Sequence, residues 1–120
     1  MDFTRKARFF VNGPTTPITP AKMYAGVVYR EAVRIAFTYA ELNGIDIMEY
    51  DIQNDYLYAP ISDRYWNILG PEFGPELKGC KDYVVRALYG THCAGSDLRQ
   101  HLRKYMEILG YTLCLADPYL

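Results

Sequence analysis

The breaks in this chain limit it more than any other feature. Asn12-Gly13-Pro14, Asn43-Gly44, the run Gly70-Pro71-Glu72-Phe73-Gly74-Pro75, Gly90 and Gly110 interrupt it before any long element can develop. Glycine adopts left-handed conformations cheaply and proline offers no amide hydrogen, so each break is a turn, a loop or a helix end. The segments between them follow two periods. In some, apolar residues recur every three or four positions, as in a helix with one buried side; in others they alternate, as in a half-buried strand. The expected class is α+β, assembled from short elements.

Residues 3–11 (Phe-Thr-Arg-Lys-Ala-Arg-Phe-Phe-Val) predict a strand with Lys6 and Arg8 on one face and Ala7, Phe9 and Val11 on the other. Residues 12–20, rich in proline and threonine, predict a loop. A helix is expected over about 25–43, starting between Met23 and Arg30 and burying Val33, Ala36, Phe37 and Ala40, with Gly44 as its stop. Residues 45–52 alternate as a strand, and 53–58 predict a turn or short helix halted by Pro60. Strands are expected at 64–69 and 83–89, separated by the rigid Gly70–Pro75 loop. A second helix is expected over about 95–109, beginning at Ala94 or Ser96. Leu98, Leu102, Tyr105 and Leu109 should face inward, with Arg99, Arg103 and Lys104 outward. Gly110 ends it, and 111–115 predict a last short strand.

With 120 residues, half of them hydrophobic and 15% aromatic, the chain is one small domain or part of one, with enough apolar content for a core. A net charge of −1 argues against a binder that holds nucleic acid through overall positive charge. Three cysteines at irregular spacing (Cys80, Cys93, Cys114) predict reduced thiols and an intracellular location, cytoplasmic or nuclear. No apolar run has the length of a membrane span, and the first residues do not resemble a signal peptide. Between Arg34 and Arg64 there is no lysine or arginine, while Glu41, Asp46, Glu49, Asp51, Asp55 and Asp63 all fall there. An acidic centre flanked by basic segments suits a metal-and-phosphate site, and equally a solvated surface.

Asp51 is the sharpest chemical candidate. A carboxylate at the end of an apolar strand, next to a tight turn, can hold Mg²⁺ while turn amides face the phosphates that the metal also binds. Alternation puts Glu49 on its face. The plainer reading is that Asp51 caps the turn. Lys6 and Arg8 could clamp a triphosphate, or could simply keep an edge strand solvated. A zinc site from His92, Cys93 and the remaining Cys and His residues fits no structural spacing, and a Cys93–His101 nucleophile has nothing to orient its base. Tyr65 and Trp66 are expected in the core, in preference to a base-stacking platform.

Taken in order, several stretches resemble the reverse transcriptase domain of copia-type retrotransposon polyproteins. They are Arg5-Lys6-Ala7-Arg8-Phe9-Phe10-Val11-Asn12-Gly13, Val33-Arg34-Ile35-Ala36, Asp51-Ile52-Gln53-Asn54-Asp55-Tyr56-Leu57 and Arg86-Ala87-Leu88-Tyr89-Gly90. Leu109-Gly110-Tyr111, Ala116-Asp117-Pro118 and the Pro71-Glu72-Phe73-Gly74 loop also fit. The resemblance implies a fragment of a right-hand polymerase, fingers interleaved with the first part of the palm, with antiparallel strands. It implies Lys6 and Arg8 at the triphosphate of the incoming deoxynucleotide and Asp51 on the catalytic Mg²⁺. It further implies Tyr56 beneath the sugar and Leu88, Tyr89 and Gly90 near nucleotide and template. An RNA or DNA primer-template is the implied partner, with no membrane.

The chemistry so implied is two-metal phosphoryl transfer, which needs more than one carboxylate. The family takes the others from a Tyr-Val-Asp-Asp hairpin beyond the Ala-Asp-Pro segment, and these 120 residues contain no Asp-Asp pair. The closing Ala116–Leu120 reads as the approach to a further strand. The expectation is therefore a truncated fragment, inactive alone, with possible association through an exposed sheet edge. The sequence departs from the family where Asp55 stands for an alanine, His92 for a lysine and Leu98 for an aromatic residue. The alternatives are a non-catalytic remnant that binds nucleic acid or protein, and an unrelated small α+β interaction domain.

Overall fold

The computed structural model describes residues 10–11 and 25–115. Of the strand expected at 3–11, residues 3–9 lie outside them and Phe10 and Val11 belong to no regular element; the loop at 12–20 and the Ala-Asp-Pro segment also lie outside.

Residues 25–29 form no regular element and end in an extended Tyr29 at the start of the first helix, α1 (Arg30–Asn43), so the helix begins at the later of its expected starts. Gly26, Val27 and Val28 are poor helix formers, glycine through backbone entropy and valine through its stiff χ1. The lead-in also packs: a Cβ built on Gly95 would come within 2.8 Å of the Ala25 methyl. Gly44 takes the left-handed conformation (φ 61°) and donates its N–H to the carbonyls at the end of α1, as its sequence position predicted. The buried stripe is thinner than expected. Ala40 is buried and Val33 and Ala36 half-buried, whereas Phe37 is exposed.

The expected strand at 45–52 does not form. Ile45, Ile47, Met48, Tyr50 and Ile52 are all exposed. Alternation makes a strand only where a neighbouring strand takes up its amides and carbonyls, and among the described residues none does. Asn54, left-handed at φ 54°, then turns the chain into a short 3-10 helix, Asp55–Tyr58. Asparagine tolerates that conformation better than most residues.

Strand β1 (Trp66–Ile68) pairs antiparallel with β2 (Lys81–Tyr83), Trp66 opposite Tyr83 and Ile68 opposite Lys81. Between them Pro71–Phe73 forms a single 3-10 turn. The strand expected at 83–89 thus lies earlier. Beyond Tyr83 the extended chain changes partner: Val84 N–H still donates to Tyr65 O (3.0 Å), but Ala87 N–H donates to Ala59 O (2.9 Å). Only an isolated bridge, Pro60 with Arg86, forms there, because proline cannot donate to a ladder. The two pairings differ in register by three residues, taken up by an outward excursion at 62–64.

Helix α2 (Ala94–Ile108) packs against the 3-10 helix. The junction is a cluster of small side chains, Ala59, Ala87 and Ala94, with Tyr56 and Leu98 half-buried against it. Each alanine methyl contributes roughly 0.8 kcal/mol on burial, so close backbone approach and hydrogen bonding matter here as much as area. Of the residues expected to face inward, Leu98 does, but Leu102, Tyr105 and Leu109 are exposed. The second half of α2 has no neighbouring element to bury that stripe among the described residues. Arg103 and Lys104 face outward as expected, Arg103 pairing with Glu107 at 2.8 Å. Gly110 closes the helix at φ 90°, and residues 111–115 form no strand. No helix among the described residues is long and apolar enough to cross a membrane.

Candidate functional site

Segments far apart in sequence meet at Tyr89 and Gly90. Val11 N–H donates to Tyr89 O at 2.7 Å. Gly90, at φ 90°, lies so close to Val11 that any Cβ there would collide with the Val11 carbonyl. Both the positive φ and the absent side chain are required, which accounts for glycine at this position. On its other side, the Tyr89 ring meets Tyr56 edge-on, with centroids 4.7 Å apart and planes at 89°. Such a pair adds roughly 0.5–1.5 kcal/mol beyond its buried area.

Asp55 joins the same group. Its Oδ1 accepts the Tyr56 N–H at 2.8 Å and the Tyr89 hydroxyl at 3.2 Å. The Asp55 carboxylate therefore holds the 3-10 helix against the Leu88-Tyr89-Gly90 stretch. Tyr56, Tyr89 and Gly90 are thus brought together.

Asp51 is exposed, on an irregular stretch, and forms no hydrogen bond or ion pair among the described residues. Because 45–52 is not a strand, alternation no longer fixes Glu49 and Asp51 on a common face. No group of three or more His, Cys, Asp or Glu side chains among the described residues is placed to hold a metal ion. The described residues thus do not gather a Mg²⁺ coordination set around Asp51, which would need carboxylates from elsewhere. Lys6 and Arg8 lie outside the described residues.

The sequence reading missed a second polar group, below the 62–64 excursion. Asp97, buried in the first turn of α2, accepts the Ser62 N–H at 2.9 Å through Oδ2. Cys93, fully buried, sits between Asp97 and the excursion. Burial first, then hydrogen bonding and charge from Asp97, raise its thiol above the ordinary range. The enclosed Tyr65 hydroxyl makes no well-formed hydrogen bond and has the Cys93 thiol as a polar neighbour. Burial, then the Cys93 interaction, push its pKa up to about 12. A thiol held neutral this way is a poor nucleophile, so the cluster is a clasp between the excursion and α2. Only the oddity of an aspartate four residues after a cysteine at a helix start could have pointed to it. Trp66, expected in the core, is instead more than half exposed.

Comparison with protein-family models, with curated proteins and with solved structures finds no match to this chain.

Proposed function

We propose that this chain is the nucleotide-facing part of a copia-type RNA-directed DNA polymerase and does not catalyse synthesis by itself. The observation that carries the reading is the contact among Val11, Asp55, Tyr56, Tyr89 and Gly90. These residues come from three stretches that the resemblance assigns, each on its own motif, to one nucleotide pocket. Their convergence is what a single shared pocket requires.

On this reading Tyr56, held by Tyr89 and Asp55, presents its ring to the sugar, and Gly90 lets the first basic stretch approach the Leu88-Tyr89 backbone. Lys6 and Arg8 belong to that basic stretch and would meet the triphosphate. Asp51 would supply one Mg²⁺ ligand, with the remaining carboxylates coming from outside these 120 residues. RNA or DNA primer-template is the partner, and the open edges of the two-stranded ribbon offer a route for association with further polymerase chain.

Primer extension with Mg²⁺ or Mn²⁺ tests the catalytic half of this proposal, and processive synthesis by the chain alone would overturn it. Primer-template binding tests the other half. Affinity should fall steeply with salt and weaken further in Arg8→Ala, whereas salt-independent binding, or none, counts against a polymerase origin.

A further inference from the structure

We propose that the outer face of the β1–β2 ribbon is a stacking platform for single-stranded nucleic acid, with Trp66 and Tyr83 meeting successive bases and Lys81 meeting the phosphate backbone. The register puts Trp66 opposite Tyr83 and Ile68 opposite Lys81, so alternation gathers these four side chains on one face and sends Asn67 and Asp82 to the other. The Val84 N–H to Tyr65 O bond marks the neighbouring pair as hydrogen-bonded. Trp66 and Tyr83 are therefore a non-hydrogen-bonded pair, the arrangement that brings side chains closest.

Both rings are open to solvent, Trp66 at 54% and Tyr83 at 61%. Lys81 Nζ lies over the face of the Trp66 ring, 3.8 Å from its centroid, so a cation covers one side of that ring and would swing to a phosphate as a base takes its place. Exposed Arg64 stands two residues before Trp66.

Charge separates this face from the exposed apolar stretch at 45–52. The stretch 45–52 mixes its apolar side chains with Asp46, Glu49 and Asp51, which repel phosphate. The ribbon face carries a cation and no carboxylate among its four residues. Exposed aromatic rings beside a cation complement bases joined by phosphates, and stacking tolerates any base sequence. The platform extends the nucleic-acid reading above, but needs neither Asp51, nor metal, nor nucleotide.

Trp66 is the sole tryptophan of the chain, so its emission reports on this face without a label. The full chain is titrated with oligothymidylate in the absence of Mg²⁺. Saturable quenching that weakens with added salt is expected. Tyr83→Ala should lower affinity on the order of tenfold and Tyr83→Phe should retain it, while Lys81→Gln flattens the salt dependence. Asp82→Asn, on the opposite face, should leave binding unchanged. Inorganic polyphosphate, with charge but no bases, should leave emission unaltered.

The proposal is overturned by absence of saturable quenching, by equal quenching with polyphosphate, or by Tyr83→Ala binding as tightly as the parent. Emission that shifts with protein concentration alone would assign the face to a second copy of the chain and overturn it too. Each failure would leave the polymerase reading standing, because that reading is tested at Tyr56 and Arg8 with primer-template.

Discussion

Two stretches with plainly apolar patterns end differently. Around Ala59, Ala87 and Ala94 the chain is close-packed by small side chains, and Asp55, Asp97 and a series of backbone bonds tie its segments together. From α1 through Ile52 the pattern is richer in large apolar residues, yet Leu42 and Tyr50 are about four-fifths exposed, at 80% and 78%. The difference teaches that an apolar pattern is a demand for a partner and not a guarantee of one. Where short side chains let backbones approach, the chain satisfies itself. Where large residues alternate, they need another surface, and the described residues supply none.

The sharpest way to break this comparison is at the crossing of Val11 and Gly90. Gly90→Val should cost about 3 kcal/mol, from its unfavourable φ and the collision with the Val11 carbonyl, and should detach the first stretch from Tyr89. Urea denaturation measures it, and a loss under about 1 kcal/mol would mean that the crossing carries little of the stability. Asp97→Ala comes next, at about 2 kcal/mol, because it removes the buried carboxylate that accepts the Ser62 N–H. An unchanged midpoint would remove the clasp from the account.

The same clasp sets a pH limit. Tyr65 and Cys93 both keep their protons in the folded state at pH values where the unfolded chain has lost them. Their contribution to stability should therefore be constant below about pH 9, the ordinary thiol range, and fall as pH rises from there toward 12, where Tyr65 ionises in the folded chain. Thermal melts across this range would show it. Cys93→Ala should flatten the earlier part of the decline and Tyr65→Phe the later part; a decline identical in both variants would exclude these groups as its cause.

A smaller effect is expected at Asp55→Ala, about 1 kcal/mol, through loss of the Tyr89 hydroxyl and Tyr56 amide bonds. The smallest belongs to the open region: Ile47→Ser should change stability by less than about 0.5 kcal/mol. A loss above about 2 kcal/mol there would mean that Ile47 is buried in solution, and the contrast between the two regions would collapse.

The helix ends were legible in the sequence because they are local: Gly44 and Gly110 stop α1 and α2 through their own backbone freedom. The 3-10 helix before Pro60 was legible for a similar reason, whereas the strand at Trp66 was realised because Lys81–Tyr83 pairs with it. The strand expected at 45–52 was not realised, since a strand is a property of two segments and a period reveals only one. The shift of the second strand to Lys81–Tyr83 depends on Pro60, whose missing amide matters only once the chain folds back beside it. The Tyr56–Tyr89 contact and the Asp97–Cys93–Tyr65 clasp both join residues that no spacing rule connects.

Hydrogen exchange on the full chain with primer-template, compared with and without Mg²⁺ and a deoxynucleotide at high concentration, tests the central claim most directly. Slowed exchange confined to residues 50–57 and 88–91, caused by the deoxynucleotide and weakened by Tyr56→Ala, is the predicted result. Unchanged exchange in these segments, or protection that survives Tyr56→Ala, would contradict the proposed nucleotide site at Tyr56 and Tyr89.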